Sequence, residues 1–244
     1  MKLEVLDSQN PCFPSPFTAM NEPDGLLAVG GNLDVATLLS AYSKGIFPWY
    51  QEAQPILWWC PSDRCVIRCD NFHISKSLRR ILRQGRYKIT LNRAFEKVIR
   101  ACAEPRDDGG TWITGDMIQA YERLHHHKKA YSVEVWDDGS LVGGIYGVSV
   151  GKVFCGESMF SRVSNGSKIA IAYLISLMQH TDMKMLDCQL KSAHLVTLGA
   201  VTISRKEFLT ELSDLGEQST ELPDNLEFPS NWWVNVARPF SVGR

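Results

Sequence analysis

Ala130–Phe160, AYSVEVWDDGSLVGGIYGVSVGKVFCGESMF, is the stretch on which the fold turns. Tyr131, Val133 and Val135 alternate with polar neighbours, the period of a strand with one face on a core. Asp137-Asp138-Gly139-Ser140 then reads as a tight hairpin turn. Leu141–Val150 forms a second apolar run, Gly151-Lys152 a second turn, and Val153–Phe160 a third strand. The pattern predicts a three-stranded antiparallel meander. Downstream, Asn165-Gly166-Ser167-Lys168 opens an apolar helix from Ile169 to Met178, and a short strand follows with Leu186-Asp187-Cys188-Gln189. Upstream the periodicity is helical. An α+β protein is expected, with a mixed, mainly antiparallel sheet flanked by helices.

Two places in this frame carry polar groups where apolar ones belong. Glu157 lies between Gly156 and Met159-Phe160, in a strand that otherwise reads as buried. A buried carboxylate needs a partner, so it marks either an ion pair or strand-end hydrogen bond, or a site. Asp187 and Gln189 are two residues apart, so one strand face carries both while Leu186 and Cys188 point the other way. Three such groups in adjoining segments look like a site.

Composition narrows the class. The chain has 244 residues, 44% hydrophobic and 22% charged, which is ordinary for a globular enzyme with a sizeable core. No run of eighteen apolar residues exists, and Met1–Phe13 lacks the apolar centre of a secretory signal. Seven scattered cysteines fit reduced thiols in a cytosol better than a disulfide framework, so a cytoplasmic protein is expected. Cys60, Cys65 and Cys69 match no common zinc spacing, and packing is the reading taken for them. The net charge of −1 conceals an asymmetry: twelve Lys or Arg between Arg64 and Arg106 face only Asp70, Glu96 and Glu104. Glu207–Glu227 carries seven acids and no base. The basic block is the footprint of a phosphate-rich partner, set against the plainer reading of a solvated helix face.

From the N-terminus, Phe13–Pro16 (FPSP) is a stiff extended segment. Glu22–Asp34 (EPDGLLAVGGNLD) turns twice around a short apolar run, and Asn32 or Asp34 caps a helix bearing Leu38, Leu39, Tyr42 and Ile46. Gly45–Tyr50 (GIFPWY) and Pro55–Pro61 (PILWWCP) place three tryptophans within eleven residues, a rigid aromatic surface that serves as a core seam, a lid or a stacking platform for bases. Ser75 caps a helix with Ile74, Leu78, Ile81 and Leu82 inward and Lys76, Arg79, Arg80 and Arg83 on its other faces, ended by Gly85. Phe95–Cys102 is the next helix. Gly109–Thr114 (GGTWIT) is a loop leading into a helix with Ile118, Tyr121 and Leu124, and His125-His126-His127 reads as its solvated last turn rather than a metal site. Ser204 with Glu207 makes a capping box for a final helix. The chain divides best near residues 60–65, into a small N-terminal domain, 1–62, and a larger one, 63–244.

Taken together, EPDGLLAVGGNLD, GIFPWY, PILWWCP, GGTWIT, AYSVEVW, LVGGIYGV, FCGESMFSR and LDCQ closely resemble, in order and over nearly the whole chain, the bacterial leucyl/phenylalanyl-tRNA–protein transferase family. The stretch after Leu212 matches least well. The resemblance implies an N-acetyltransferase-like (GNAT) fold for the C-terminal domain, and transfer of Leu, Phe or, less well, Met from aminoacyl-tRNA to proteins with N-terminal Lys or Arg, marking them for N-degron degradation. The ester already stores the energy, so no metal, ATP or coenzyme is implied. Asp187 and Gln189 match the family's proposed catalytic pair, and Glu157 matches a carboxylate of the acceptor or aminoacyl site. Trp49, Trp112 and Tyr121 match residues around the 3′-terminal adenosine. Ile145, Phe154, Met159, Leu174 and Leu186 stand where the side-chain pocket is expected, with plain core as the alternative. Lys76, Arg79, Arg80 and Arg83 would hold acceptor-stem phosphates, although Arg83-Gln84 replaces two adjacent bases found in some relatives.

Two other readings compete. An acyl-CoA-dependent N-acyltransferase would use the helix start at Gly166-Ser167-Lys168 for a pyrophosphate, but its Gly-rich loop is missing. A non-catalytic RNA-binding module suits the basic block and leaves GESMF and DCQ without a purpose. A monomer is expected, since no apolar heptad or long exposed strand is apparent.

Overall fold

The computed structural model describes residues 3–105 and 111–235; Arg106 of the basic block, Gly109-Gly110 of the GGTWIT loop and the last nine residues of the 63–244 domain lie outside them. The first segment builds a four-stranded sheet. β1 (Glu4–Leu6) runs parallel to β2 (Leu26–Gly30), the helix α1 (Val35–Ser43) follows, and β3 (Phe47–Pro48) and β4 (Leu57–Trp59) complete the order β1-β2-β4-β3. The FPSP segment is extended through Ser15, but Pro16 opens a single 3-10 turn to Thr18, because proline at a helical first position loses no hydrogen bond. Asn32 serves α1 as a turn residue, its Oδ1 accepting from the Asp34 N–H and the Thr37 hydroxyl.

The rest of the chain supplies an eight-stranded sheet. Its elements are β5 (Asp63–Arg68), α2 (Lys76–Gln84), β6 (Lys88–Leu91), α3 (Phe95–Cys102), α4 (Gly115–His126), β7 (Ala130–Asp137), β8 (Ser140–Val150), β9 (Val153–Ser161), α5 (Gly166–His180), β10 (Met185–Gln189), α6 (Ala193–Val196), β11 (Val201–Ser204), α7 (Arg205–Gly216) and β12 (Leu226–Glu227). The strand order is β11-β5-β10-β9-β8-β7-β6-β12, and every pairing is antiparallel except β10 with β9. The meander read from Ala130–Phe160 is therefore present as β7-β8-β9. Its first turn holds because Asp138 and Gly139 both take positive φ, 49° and 80°, the twist that matches two strands joined by a two-residue loop.

Each face of the large sheet is covered. Tyr131, Val133 and Val135 of β7 pack toward α2 and α5, in one apolar cluster with Ile145, Phe154 and Leu186. α5 is buried almost all round, as an apolar helix between a sheet and other elements must be. On the other face Phe95, Val98, Met117, Tyr121 and Phe208 form a second cluster that runs on into Leu38, Tyr42 and Trp58 of the N-terminal segment. Leucines and aromatics from both sheets thus share one core. Ser75 and Thr114 cap α2 and α4 through their side chains, as the spacing predicts.

The acidic stretch Glu207–Glu227 is part of this packing. Glu207 and Glu211 pair with Arg68, Asp224 with Lys128, and Glu227 with Lys88 and Arg93. Leu226–Glu227 adds the edge strand β12 to β6, and Leu222, Phe228 and Trp233 are buried. The basic block accordingly shrinks: Arg86 pairs with Asp137, Arg100 with Glu122, and Arg64 is an interior residue. Among the described residues, Lys76, Arg79, Arg80 and Arg83 of α2 make no ion pair. No helix of the described residues is long and apolar enough to cross a membrane.

Candidate active site

The three polar groups singled out in the sequence meet. Glu157 is the extra residue where Gly147 pairs with Gly156 and Tyr146 with Ser158, and this bulge turns its carboxylate toward α4. Its Oε2 accepts from the Tyr121 hydroxyl at 2.8 Å and its Oε1 from the Gln189 side-chain amide at 2.8 Å. The Tyr121 hydroxyl also bonds that of Tyr42 on α1. Burial raises Glu157 from the ordinary 4.5 to about 7, against the lowering pull of the Tyr42, Tyr121 and Gln189 hydrogen bonds. Glu157 and Gln189 keep 8% and 9% exposure, a narrow opening, while Asp187 has none.

Asp187 is held by Arg64. The guanidinium Nε and Nη2 donate to the two carboxylate oxygens at 2.8 and 2.6 Å, and Nη1 donates to the Gly45 carbonyl at 3.1 Å. Phe47 and Phe208 flank the cation with ring centres 4.8 and 4.4 Å away. Asp187 Oδ1 further accepts the backbone N–H of Gln189 at 2.9 Å. Burial, helped by the nearby Asp187 charge, pushes the Cys155 thiol well above its ordinary value. Gln189 takes φ +59°, a left-handed conformation that costs a non-glycine residue on the order of 1 kcal/mol. The bulge in β10 and the Asp187 bond hold it there. Strain in a residue whose side chain closes on Glu157 is what a pre-organised site looks like.

Arg64 is the residue that the sequence misplaces. By charge count it is the first member of a solvated basic block, yet it is 1% exposed. Its place directly before Cys65-Val66-Ile67, the apolar run of β5, is the one available signal. Tyr42 reads from the sequence as core only; its hydroxyl belongs to the site. Tyr121 is fully buried, with its hydroxyl committed to Glu157 and Tyr42, so it has no ring face to offer a base and enters the site as a hydrogen-bond donor. Trp49 is 40% exposed beside Trp59, and Trp112 is half-buried. Tyr50 and Ile113, chain neighbours of Trp49 and Trp112, are buried in one apolar cluster against which Trp112 packs.

Ile145, Phe154, Leu174 and Leu186 are buried in one cluster, with the half-buried Met159 packed against it. Gly156, next to Glu157, leaves the space where a Cβ would sit 3.3 Å from Leu186 and 3.9 Å from Ile145. His125 stacks on Phe95 at 4.3 Å with Nδ1 at the Ala130 carbonyl, and no group of metal-ligating side chains occurs among the described residues. A surface groove lined by Arg68, His180, Lys184 and Glu211 among others contains none of these site residues.

In a two-sheet α+β fold, a buried carboxylate that accepts from a tyrosine hydroxyl and from the amide of a strained strand end is a candidate enzyme site. Comparison with known proteins gives its family. The sequence model described as leucyl/phenylalanyl-tRNA protein transferase matches residues 66–213, and that of the N-terminal domain of the same family matches residues 31–62. A leucyl/phenylalanyl-tRNA–protein transferase of Cellvibrio japonicus is 51% identical over 212 residues, 86% of this chain and 90% of that one. Those of an Enterobacter species and Methylococcus capsulatus are 47% and 50% identical, over 96% and 88% of this chain and 96% and 92% of theirs. The chain belongs to the leucyl/phenylalanyl-tRNA–protein transferase family and is an aminoacyltransferase.

Proposed function

We propose that the protein transfers Leu or Phe, and less well Met, from aminoacyl-tRNA to the α-amine of proteins that begin with Lys or Arg, marking them for N-degron degradation in the cytoplasm. The observation that carries the reading is the Glu157–Gln189 contact on the open side of the Arg64–Asp187 pair. Because the Gln189 amide N–H donates to Glu157, its carbonyl oxygen is left to accept from an attacking amine. Glu157 supplies the counter-charge for a cationic N-terminus or the base for its proton. Asp187, neutralised by Arg64, positions Gln189 through its backbone N–H and does not itself move the proton. The ester supplies the driving force, and no cofactor is needed.

In this reading Trp49 and Trp112 hold the terminal adenosine, with stacking of about 1–3 kcal/mol, while Tyr121 serves from beneath the carboxylate. Ile145, Phe154, Met159, Leu174 and Leu186 form the pocket for an unbranched-β apolar side chain. Lys76, Arg79, Arg80 and Arg83 hold phosphates. Residues 1–62 act as a small N-terminal domain and 63–244 as a GNAT-like catalytic domain, in a monomer. An assay with labelled Leu-tRNA and an Arg-initiated test protein, with and without acyl-CoA, tests the transfer. Label moves to the protein in either condition; transfer that requires acyl-CoA, or RNA binding with no transfer, overturns the reading.

A further inference from the structure

Behind the strand that carries Asp187 and Gln189, two cysteines lie side by side on adjacent strands. β10 pairs with β5 so that Asp187 opposes Val66 and Gln189 opposes Cys65, which leaves Cys188 as the extra residue of the bulge. Cys188 and Gln189 therefore face Cys65 together. The Cys188 thiol donates to the Leu186 carbonyl at 3.8 Å and packs against the apolar cluster that holds Cys65, close enough for each thiol to shift the other's titration. Cys65 is 1% exposed, whereas Cys188 is half-buried and the more exposed of the two. Neither is bridged. The chain neighbours of these sulfurs are Arg64 on one strand and Asp187 and Gln189 on the other, so the site lies on one face of the strand pair and the dithiol on the opposite face.

We propose that Cys65 and Cys188 form a reversible disulfide, a modification site at which a low-molecular-weight disulfide oxidant switches off transfer. The contact with Cys188 holds the Cys65 thiol below its ordinary value, so the pair loses its first proton there. The same contact, with burial, pushes the Cys188 thiol well above its ordinary value, so its thiolate is a minor form, reached when the Cys188 proton passes to the Cys65 sulfur; it is the form on the more exposed of the two residues. Cys188 attacks a disulfide such as oxidised glutathione, forming a mixed disulfide and releasing one glutathione thiol. Cys65 then attacks Cys188 Sγ, forms the protein S–S bond and expels the second. Two protein thiols are oxidised, the reagent disulfide is reduced to two thiols, and both protons leave with them.

Adjacent antiparallel residues meet the Cα spacing a disulfide needs, and closing the contact brings the sulfurs to about 2.05 Å. The pull acts on the residue next to Gln189, whose φ of +59° and bonds to Asp187 and Glu157 hold it in one arrangement. A displacement of ~1 Å in a positioning group lowers rate by on the order of 10²-fold.

The loss of rate rests on the transfer reading above; the cross-link does not, so the two fail separately. The full chain is treated with oxidised glutathione, mapped by peptide mass under non-reducing conditions, and assayed for transfer before and after dithiothreitol. A Cys65–Cys188 cross-link is expected, with turnover down ~10²-fold and restored by reduction. Cys188→Ala, at a half-buried position, and Cys65→Ala should each stay active and resist the oxidant; either variant suffices if the other fails to fold. Absence of that cross-link in excess reagent, undiminished turnover in the cross-linked protein, or equal inhibition of the folded variants overturns the proposal.

Discussion

At Glu157, folding and chemistry pull in opposite directions. A carboxylate with an ordinary value of 4.5 and a folded value of about 7 binds its proton more tightly in the native state. Its contribution to stability is therefore fully present below about pH 4.5 and is lost as pH rises through about 7. Above that the folded protein carries an ionised buried carboxylate at a cost of roughly 3 kcal/mol, from 1.36 kcal/mol per pKa unit. Glu157→Gln keeps the size and removes the charge. Urea unfolding should show the variant more stable than the wild type by up to about 3 kcal/mol at pH 8 and little changed at pH 5. In transfer the same variant should raise the KM for an Arg-initiated acceptor. Equal stability differences at both pH values would place the carboxylate in a solvated setting. Gln189→Glu also conserves size, but it removes the amide donor and sets a second carboxylate against Glu157. Single-turnover transfer should fall by about 10²–10³-fold with aminoacyl-tRNA affinity nearly unmoved. A wild-type rate would leave Gln189 a structural polar group.

The elements separate what a sequence shows from what it hides. Periodicity and capping chemistry are local, so Ser75, Thr114 and Ser204 each cap the helix the spacing assigns, and the Tyr131–Val135 alternation finds its apolar face. Glu134 shows the boundary of that logic. Alternation marks it as the polar side of β7, but α3 covers that side, and the carboxylate is fully buried among Thr90, Ser132 and the backbone N–H groups of Arg93 and Ala94 at the start of α3. The bulges that aim Glu157 and Gln189 are also hidden, because a single inserted residue leaves no signature in the period. That Asp187 and Gln189 share a face is legible; that Gln189 needs a left-handed backbone to do so is not. Charge is the least local signal, and six of the twelve bases of the block are paired with acids elsewhere along the chain. Among the described residues, the unpaired bases that stand together are those of α2. Replacing Arg79, Arg80 and Arg83 together by Ala should weaken aminoacyl-tRNA binding and flatten the dependence of log K on log salt, by about 0.7–0.9 for each phosphate no longer neutralised. An unchanged slope would put the phosphates elsewhere.

Across the whole molecule, one cation joins parts that sequence separates widely. Arg64 on β5 reaches Gly45 and Phe47 of the N-terminal segment, Phe208 of α7 and Asp187 of β10. Trp49 follows Phe47 by two residues, so the aromatic surface and the strained strand end share one support. Breaking this buried pair by Arg64→Met should cost roughly 3–5 kcal/mol, mostly from an Asp187 carboxylate left uncompensated. Adding Asp187→Leu removes that charge, and a buried pair replaced by apolar groups of similar volume is often neutral for stability. The double variant should therefore recover most of the lost stability in urea unfolding. Turnover should not recover with it, because the Gln189 N–H has lost its acceptor and the amide its fixed orientation toward Glu157; a deficit of about 10²-fold or more is expected to persist. A merely structural pair predicts that stability and single-turnover rate return together. If the double variant transfers Leu at the wild-type rate, Arg64 and Asp187 hold the sheets and take no part in placing Gln189.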